Sequence, residues 1–294
     1  MTVTAISLAD PVSGLSVIIM PADGVSAQAL DVAAPARAVT EDRVAAHGSY
    51  DTTRYLSAAA VSLSLLLYPG VTQTPELFLD SLGPLLAPGL RPNLIVTNDQ
   101  WDQPRQLAVR FDSSAKPLSD PTNWPVQISW QAPAGVWEGS ILSTATVQSF
   151  IASTTGLEFD PSTGLVVTSA GYVFPATSAV SPSQVTSEGN APSQWQAYLY
   201  GPCTGPRFAN DSAGLTLNFT TDLVLNAGDY VLLDSATQSA YLNSDTNSPV
   251  LRFLDFATSD WWLIAPGLNI LRYYPSDADA GAVAQLSFRP CWLA

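Results

Sequence analysis

Few residues of this sequence are placed to carry covalent chemistry. The chain has one histidine, His47, so a Ser–His–Asp or Cys–His arrangement would have to use that residue. The segment GPCTG, residues 201–205, imitates a nucleophile elbow with Cys203 in the position of the serine. An elbow needs a helix after the nucleophile, whereas the following Pro-Arg-Phe opens a stretch typical of a strand. We therefore predict that Gly201 and Pro202 form a structural turn.

Metal and nucleotide sites are not indicated either. The acidic segment SDADAG, residues 276–281, spaces two aspartates like the first ligands of a calcium loop. It lacks the third acidic position and the distal bidentate glutamate, so we predict a hairpin tip. The HExxH, Walker and GxGxxG motifs are absent. A glycosidase-like carboxylate pair could be drawn from any of the 25 acidic residues, without a local signature. We expect no catalytic residue, no metal and no cofactor, and therefore no enzyme.

The aromatic residues near the end of the sequence offer a different chemistry. In TSDWWLIAPGLNILRYYP, residues 258–275, Trp261 and Trp262 lead into Pro266 and Gly267. Alternation along an extended chain points the two tryptophans to opposite faces, so at least one of them is predicted to face a core. We expect Pro266 and Gly267 to reverse the chain.

Three further aromatics are candidates for an interface or for a ligand platform. Stacking of a sugar on exposed rings is the alternative to packing in the core or against another subunit. These residues are Tyr273, Tyr274 and Trp292.

The composition limits the possible partners. The net charge is −14 with a sequence pI near 4.1, so the cationic surface that phosphate backbones require is missing. We expect no direct nucleic-acid binding and no attraction to anionic membranes. Charged residues make up 12% of the chain and hydrophobic ones 47%, which favours burial against other subunits. Two cysteines and an N-terminus without a secretory signal predict free thiols and synthesis in reducing cytoplasm.

The apolar pattern predicts a mainly β chain. Short alternating runs are separated by 23 prolines and 18 glycines spread along the sequence. Gly228 and Asp229 lie in a predicted hairpin loop. The predicted strands are 16–20, 61–68, 107–111, 126–130, 194–200, 215–220, 223–225, 230–234, 240–242, 251–254, 268–274 and 282–288.

One helix and one boundary complete the prediction. Thr74 as N-cap, Pro75 at the first position and Glu76 near the positive end of the dipole begin a helix near residues 75–83. A turn-rich passage at 140–150 divides the chain into an N-terminal β domain, 1–145, and a C-terminal β domain, 146–294.

Several segments together resemble the distal tail proteins of long-tailed bacteriophages, called minor tail proteins in phages of actinobacteria. The most specific is LDFATSDWWLIAPGLNILRYY, residues 254–274, with Trp261, Trp262, the Pro-Gly turn and Asn269. GNAPSQWQAYLYGPCTGPRFAN, residues 189–210, resembles the Gly-Asn-x-Pro segment, strand and Gly-Pro of the family. LVLNAGDYVLLDSATQSAYLN, residues 223–243, resembles its hairpin. Residues 42–70 and 74–96 resemble the strand pair, helix and next strand of the N-terminal half.

The resemblance implies a barrel or sandwich with one short helix, followed by a galectin-like β-sandwich. It further implies a structural protein of the virion tail tip, in which six copies of the chain form a ring through the N-terminal domain. That ring would connect the tail tube protein to the tail hub and other minor tail proteins, with the tape measure protein as a further neighbour. A carbohydrate-binding or receptor-binding tail component is the alternative function.

Overall fold

The structure is a computed structural model that describes residues 3–20, 22, 24–34, 36–37, 40–42, 49–51, 55–68, 75–115, 124–149, 183–274 and 282–293. His47 and the acidic loop 276–281 lie outside these residues, so the predictions made for them stay predictions. The described residues form two compact units. The first unit comprises Met1–Ile141 and Arg289–Ala294, and the second comprises Leu142–Phe288.

Strands dominate both units, as predicted. The elements up to Gly139 are β1 (Val3–Ala9), β2 (Ser16–Met20), β3 (Val25–Ala33), β4 (Ala36–Arg37), β5 (Thr40–Asp42), β6 (Ser49–Asp51), β7 (Tyr55–Leu56), β8 (Ala59–Leu67), α1 (Pro75–Leu82), a 3₁₀ turn (Gly83–Leu86), β9 (Asn93–Asn98), β10 (Arg105–Ala108), β11 (Arg110–Ala115), β12 (Trp124–Ala132) and β13 (Val136–Gly139). The later elements are β14 (Ser143–Gln148), β15 (Ser183–Ser187), β16 (Trp195–Tyr200), β17 (Cys203–Thr204), β18 (Arg207–Asn210), β19 (Leu215–Asn218), β20 (Val224–Leu225), β21 (Tyr230–Asp234), β22 (Ser239–Leu242), a 3₁₀ turn (Leu251–Phe253), β23 (Gly267–Tyr274), β24 (Val283–Phe288) and β25 (Cys291–Leu293).

The first unit is built on two antiparallel sheets. One has six strands in the order β2-β1-β9-β10-β13-β25, and the other has four in the order β11-β12-β8-β3. On β8 every second residue from Ala59 to Leu67 is buried, and β12 pairs in register so that Trp130 lies opposite Val61. Because facing residues of paired strands share a face, these side chains form one apolar layer of the core.

The predicted helix near residues 75–83 is observed at Pro75–Leu82. Its inward face carries Phe78 and Leu82, which are 2% and 0% exposed, while Leu77 points outward. Each such buried side chain contributes roughly 1.5 to 3 kcal/mol through removal from water. The helix therefore covers the core of the first unit.

The second unit contains two larger sheets. Their strand orders are β14-β24-β16-β21-β22 and β15-β23-β18-β19. The inward residues of β16 and β21, such as Ala197, Leu199, Val231 and Leu233, are all 0% exposed. A mainly β fold with one short helix among the described residues confirms the predicted fold class. A galectin-like topology for the second unit stays a prediction.

The last strand corrects the predicted domain boundary. The sequence predicts residues 146–294 as the second domain, but β25 pairs with β13 and completes the six-stranded sheet of the first unit. Trp292 lies opposite Trp137 in this pairing, and both rings are buried. The guanidinium of Arg289 donates to the carbonyl oxygens of Gly139 and Ser140 and anchors the return. The second unit is thus inserted between β13 and β25.

Two strand predictions were wrong in detail. Leu251–Phe253 form a 3₁₀ turn, because the amide of Phe253 bonds the carbonyl of Val250 and local i→i+3 bonds replace a ladder. Leu254 forms only an isolated antiparallel bridge with Phe219. The predicted strand 107–111 is divided: β10 ends at Ala108 in the six-stranded sheet, and β11 begins at Arg110 in the four-stranded sheet.

Candidate functional site

The Pro266–Gly267 turn is held by one buried amide side chain. Asn269 is 0% exposed, and its Oδ1 accepts from the backbone amide of Ala265 at 3.0 Å and from Nδ2 of Asn210 at 3.2 Å. Its Nδ2 donates to the carbonyls of Ala265 at 2.8 Å and Gly267 at 3.1 Å. An amide has two donors and two acceptor lone pairs, so all four are satisfied here. Asn269 therefore fixes the geometry of the turn.

Gly267 supplies the backbone conformation of this turn. Its φ is +83°, in the region that β-carbon sterics disfavour. A β-carbon built on Gly267 would meet no atom within 4 Å. The requirement for glycine is therefore conformational and does not come from crowding.

The tryptophan pair is anchored to the same turn. Trp262 is 3% exposed, and its ring lies 4.4 Å from that of Trp195 and 5.4 Å from that of Phe208. The indole Nε1 of Trp195 donates to the carbonyl of Trp262 at 2.8 Å. Trp261 is half-buried at the edge of the cluster, with its ring 6.2 Å from Trp195. Both tryptophan rings therefore lie against Trp195, and the segment that carries them belongs to no regular strand.

Tyr273 lies in the core of the second unit and cannot offer a ring to a ligand. It is 0% exposed, its hydroxyl donates to the carbonyl of Tyr200 at 3.1 Å, and it lies 3.1 Å from Sγ of Cys203. Burial raises the pKa of the Cys203 thiol, with the hydrogen bond to Tyr273 opposing the shift. Burial likewise raises the pKa of Tyr273. Cys203 is therefore held as a neutral thiol, which does not suit a nucleophile.

Trp292, a candidate for an interface or a ligand platform, is buried in the first unit. It is 8% exposed in the first unit, where the guanidinium carbon of Arg105 lies 4.0 Å from its ring centroid. The same guanidinium lies 4.3 Å from the ring of Trp101. Burial lowers the pKa of Arg105, while Asp102 opposes that shift. This cation–π stack ties β25 to the neighbouring loop.

Tyr274 is half-buried on the outer face of β23. The guanidinium carbon of Arg207 lies 4.9 Å from its ring centroid. Of the three aromatics that are candidates for an interface or a ligand platform, Tyr274 is thus the one that is half-buried and not buried.

The remaining predicted motif residues meet at a second turn. Gly201 donates its amide to the carbonyl of Asp229, and a β-carbon on Gly201 would lie 2.8 Å from the backbone oxygen of Asn226. Gly228 adopts φ +93° in the hairpin loop. The carboxylate of Asp229 accepts from Asn243 and from the side chain and backbone of Asn226, which lowers its pKa. The Gly201–Pro202 bond is cis.

These motif residues stabilise two turns, one at Pro266–Gly267 and one at Gly201, and they do not bring reactive groups together. Among the described residues, no group of three or more His, Cys, Asp or Glu side chains could hold a metal ion. Within the same ranges, no helix combines the length and apolar character needed to cross a membrane.

The sequence prediction missed an aromatic cluster on the outer face of the five-stranded sheet. Tyr198, Tyr200 and Tyr230, the tyrosine cluster, have ring centroids 5.4 to 6.3 Å apart. Tyr198 and Tyr200 are two residues apart on β16, and Tyr230 faces Tyr200 from β21. The i, i+2 spacing of the first two was visible in the sequence, but the third depends on the pairing of β16 with β21.

Comparisons with known proteins agree with this architecture. Residues 188–292 match the family model of the siphovirus-type tail component, C-terminal domain. The structure of the Dit protein of phage SPP1, described as a paradigm of the hub adsorption apparatus in phages infecting Gram-positive bacteria, aligns over 98% of this chain and 99% of that chain. Its TM-score is 0.60 at 12% identity.

A chain of the activated baseplate of phage P2 aligns over 98% of both chains, with a TM-score of 0.50 at 11% identity. No curated protein sequence matches the chain. The resemblance to the distal tail proteins of siphophages is thus confirmed: residues 188–292 match the C-terminal domain of a siphovirus tail component, and the chain as a whole has the fold of the SPP1 Dit protein.

Proposed function

We propose that this protein is a structural component of the phage tail tip, whose copies close a ring between the tail tube and the baseplate hub. The observation that carries the proposal is the alignment of both units, over 98% of the chain, with a phage hub protein. One domain shared with many proteins would say little about function. Two units shared in the same order restrict the number of possible functions.

The first unit carries features suited to contacts between copies. Among the described strands, β2 lies at one edge of the six-stranded sheet. Around that edge, Val12, Leu15 and Ile18 are 92%, 42% and 62% exposed. An apolar edge is a liability in an isolated chain unless another surface covers it. A head-to-tail contact repeated by rotation would cover it and close a ring.

The number of copies and the neighbours follow from the family resemblance. We propose six copies per ring, contacts with the tail tube protein on one side, and contacts with the hub, other minor tail proteins and the tape measure protein on the other. The protein would be made in the host cytoplasm and function in the virion. We propose no catalytic role and no direct contact with nucleic acid or membrane, in keeping with the buried thiol of Cys203 and the net charge of −14.

Native mass spectrometry and negative-stain imaging of the full chain test the ring. We expect a closed assembly of six copies, formed either by the purified protein or after addition of the tail tube protein. Ile18→Asp should shift the protein to monomers, because a charge would be buried at the contact. Leu268→Asp, at a 52% exposed position of the second unit, is the matched control and should leave the ring intact. A monomer under both conditions would refute the proposal.

A further inference from the structure

The tyrosine cluster lies on the outer face of β16 and β21, where aromatic rings stand next to polar side chains. In register across the sheet, Tyr198 faces Leu232 on β21 and Gln285 on β24, and Tyr200 faces Tyr230. All three tyrosines are half-buried, so each ring keeps part of its surface accessible to water. Because facing residues of paired strands share a face, these side chains form one continuous surface.

Hydrogen-bonding groups border the rings on this face. Two residues before Tyr198, Gln196 lies opposite Asp234, and its Nε2 donates to that carboxylate at 3.1 Å. The hydroxyl of Tyr230 donates to Oγ of Ser244 at 3.1 Å. Amide, hydroxyl and carboxylate groups thus surround a group of flat aromatic rings.

The composition of the face distinguishes between two kinds of partner. Tyrosine is common in protein–protein interfaces, but there it acts as a fully desolvated anchor at the centre of an apolar patch. The large exposed hydrophobic side chains described in the second unit lie elsewhere, on other segments: Leu142, Val224, Phe256, Leu263 and Leu268. Tyrosines bordered by small polar groups instead suit a ligand that has both C–H faces and hydroxyl groups.

We propose that the tyrosine cluster binds a neutral polysaccharide, with pyranose rings packed on Tyr198 and Tyr200 and with sugar hydroxyls bonded to Gln196 and Asp234. Charge supports this choice of ligand. The chain has a net charge of −14, and two carboxylates lie beside the cluster: Asp234 accepts from Gln196, and Asp229, which precedes Tyr230, accepts from Asn243. A polyanionic polymer would be repelled, whereas a neutral sugar polymer meets no such penalty.

Affinity electrophoresis of the full chain tests the proposal. Native gels would contain laminarin, amylose or a neutral galactan, with polyglycerol phosphate as the anionic comparison. We expect retardation by at least one neutral polysaccharide and none by polyglycerol phosphate. Tyr198→Leu combined with Tyr200→Leu keeps apolar volume on the strand but removes the flat rings, and should weaken binding roughly tenfold or more. The double Phe variant should retain most of the binding.

Controls separate this site from folding and from assembly. Tyr274→Ala removes a half-buried tyrosine from the other sheet of the second unit and should bind as the parent chain does. Thermal unfolding of the Leu variant checks that the fold is kept. Retardation by none of the neutral polysaccharides would overturn the proposal, and so would unchanged binding of a folded Leu variant. The proposal would also be overturned if the chain bound no glycan and the Leu variant lost a contact with another tail protein. That result would assign this face to a protein partner. Ring formation is measured independently, so each proposal can fail without the other.

Discussion

Replacement of Asn269 by alanine tests whether one amide holds the aromatic turn. The four hydrogen bonds of the side chain join it to Ala265, Gly267 and Asn210. A hydrogen bond within a protein contributes about 1 kcal/mol, and an unpaired buried group costs about as much or more. Ala265 and Gly267 are exposed, so water can replace part of what is lost. We expect Asn269→Ala to lower the free energy of unfolding of the second unit by about 2 to 4 kcal/mol.

The measurement has to report on the second unit alone. Urea unfolding followed by hydrogen exchange of peptides from β16 and β23 meets that requirement, because both strands belong to that unit. Asn247→Ala is the matched control, since Asn247 is exposed and bonds only its neighbour Asp245 among the hydrogen bonds described for it. We expect the control to change stability by less than about 0.5 kcal/mol.

A nearly isosteric variant sharpens the test. Asn269→Asp keeps the shape of the side chain but points a carboxylate oxygen at the two carbonyls that Nδ2 now contacts. At neutral pH we expect a loss at least as large as that of Asn269→Ala, partly relieved in acid, where protonation restores one donor. If both Asn269 variants unfold with the stability of the Asn247→Ala control, the amide does not hold the turn.

Three further predictions concern the glycines and the buried thiol. Gly267→Val should lower the melting temperature more than Asp222→Asn, which removes an exposed acid, because valine opposes φ +83°; equal melting temperatures in differential scanning calorimetry would contradict this. Gly201→Ala should destabilise the protein by roughly 1 to 3 kcal/mol in urea unfolding, because its β-carbon would lie 2.8 Å from a backbone oxygen, while Gly83→Ala, with no atom within 4 Å, should be neutral. Because the folded state raises the pKa of Cys203, its contribution to stability is present below the ordinary value of 9.0 and is lost as pH rises above it. Between pH 8 and pH 10, urea unfolding should show a smaller decrease in the free energy of unfolding for Cys203→Ala than for the parent protein. Equal decreases would contradict the role of this thiol.

Local patterns predicted most of the strands and the helix, because their information lies within a few neighbouring residues. Alternation placed β8 and β21 within two residues of their observed ends, and prolines limited α1 to Pro75–Leu82. Asn269 was singled out from a motif, but its four hydrogen bonds require Asn210, which comes from a different strand.

The features that could not be predicted from the sequence depend on pairing between strands that are distant in the chain. Nothing in the residues near Trp292 indicates that their strand pairs with β13, more than a hundred residues earlier in the chain. The tyrosine cluster needs the register in which Tyr200 meets Tyr230. Leu107 and Val109 form one apolar run, yet the chain changes sheets between β10 and β11, which only the three-dimensional packing decides.

The return of β25 has a consequence for the order of folding during synthesis. The ribosome makes β13 and then the whole second unit before it makes the strand that covers Trp137. The second unit can therefore acquire its own core while the earlier sheet still has an open edge. Nascent chains stalled before Arg289 would leave that edge exposed to chaperones or to aggregation. The six-stranded sheet of the first unit can thus be completed only after residues 291–293 have been made.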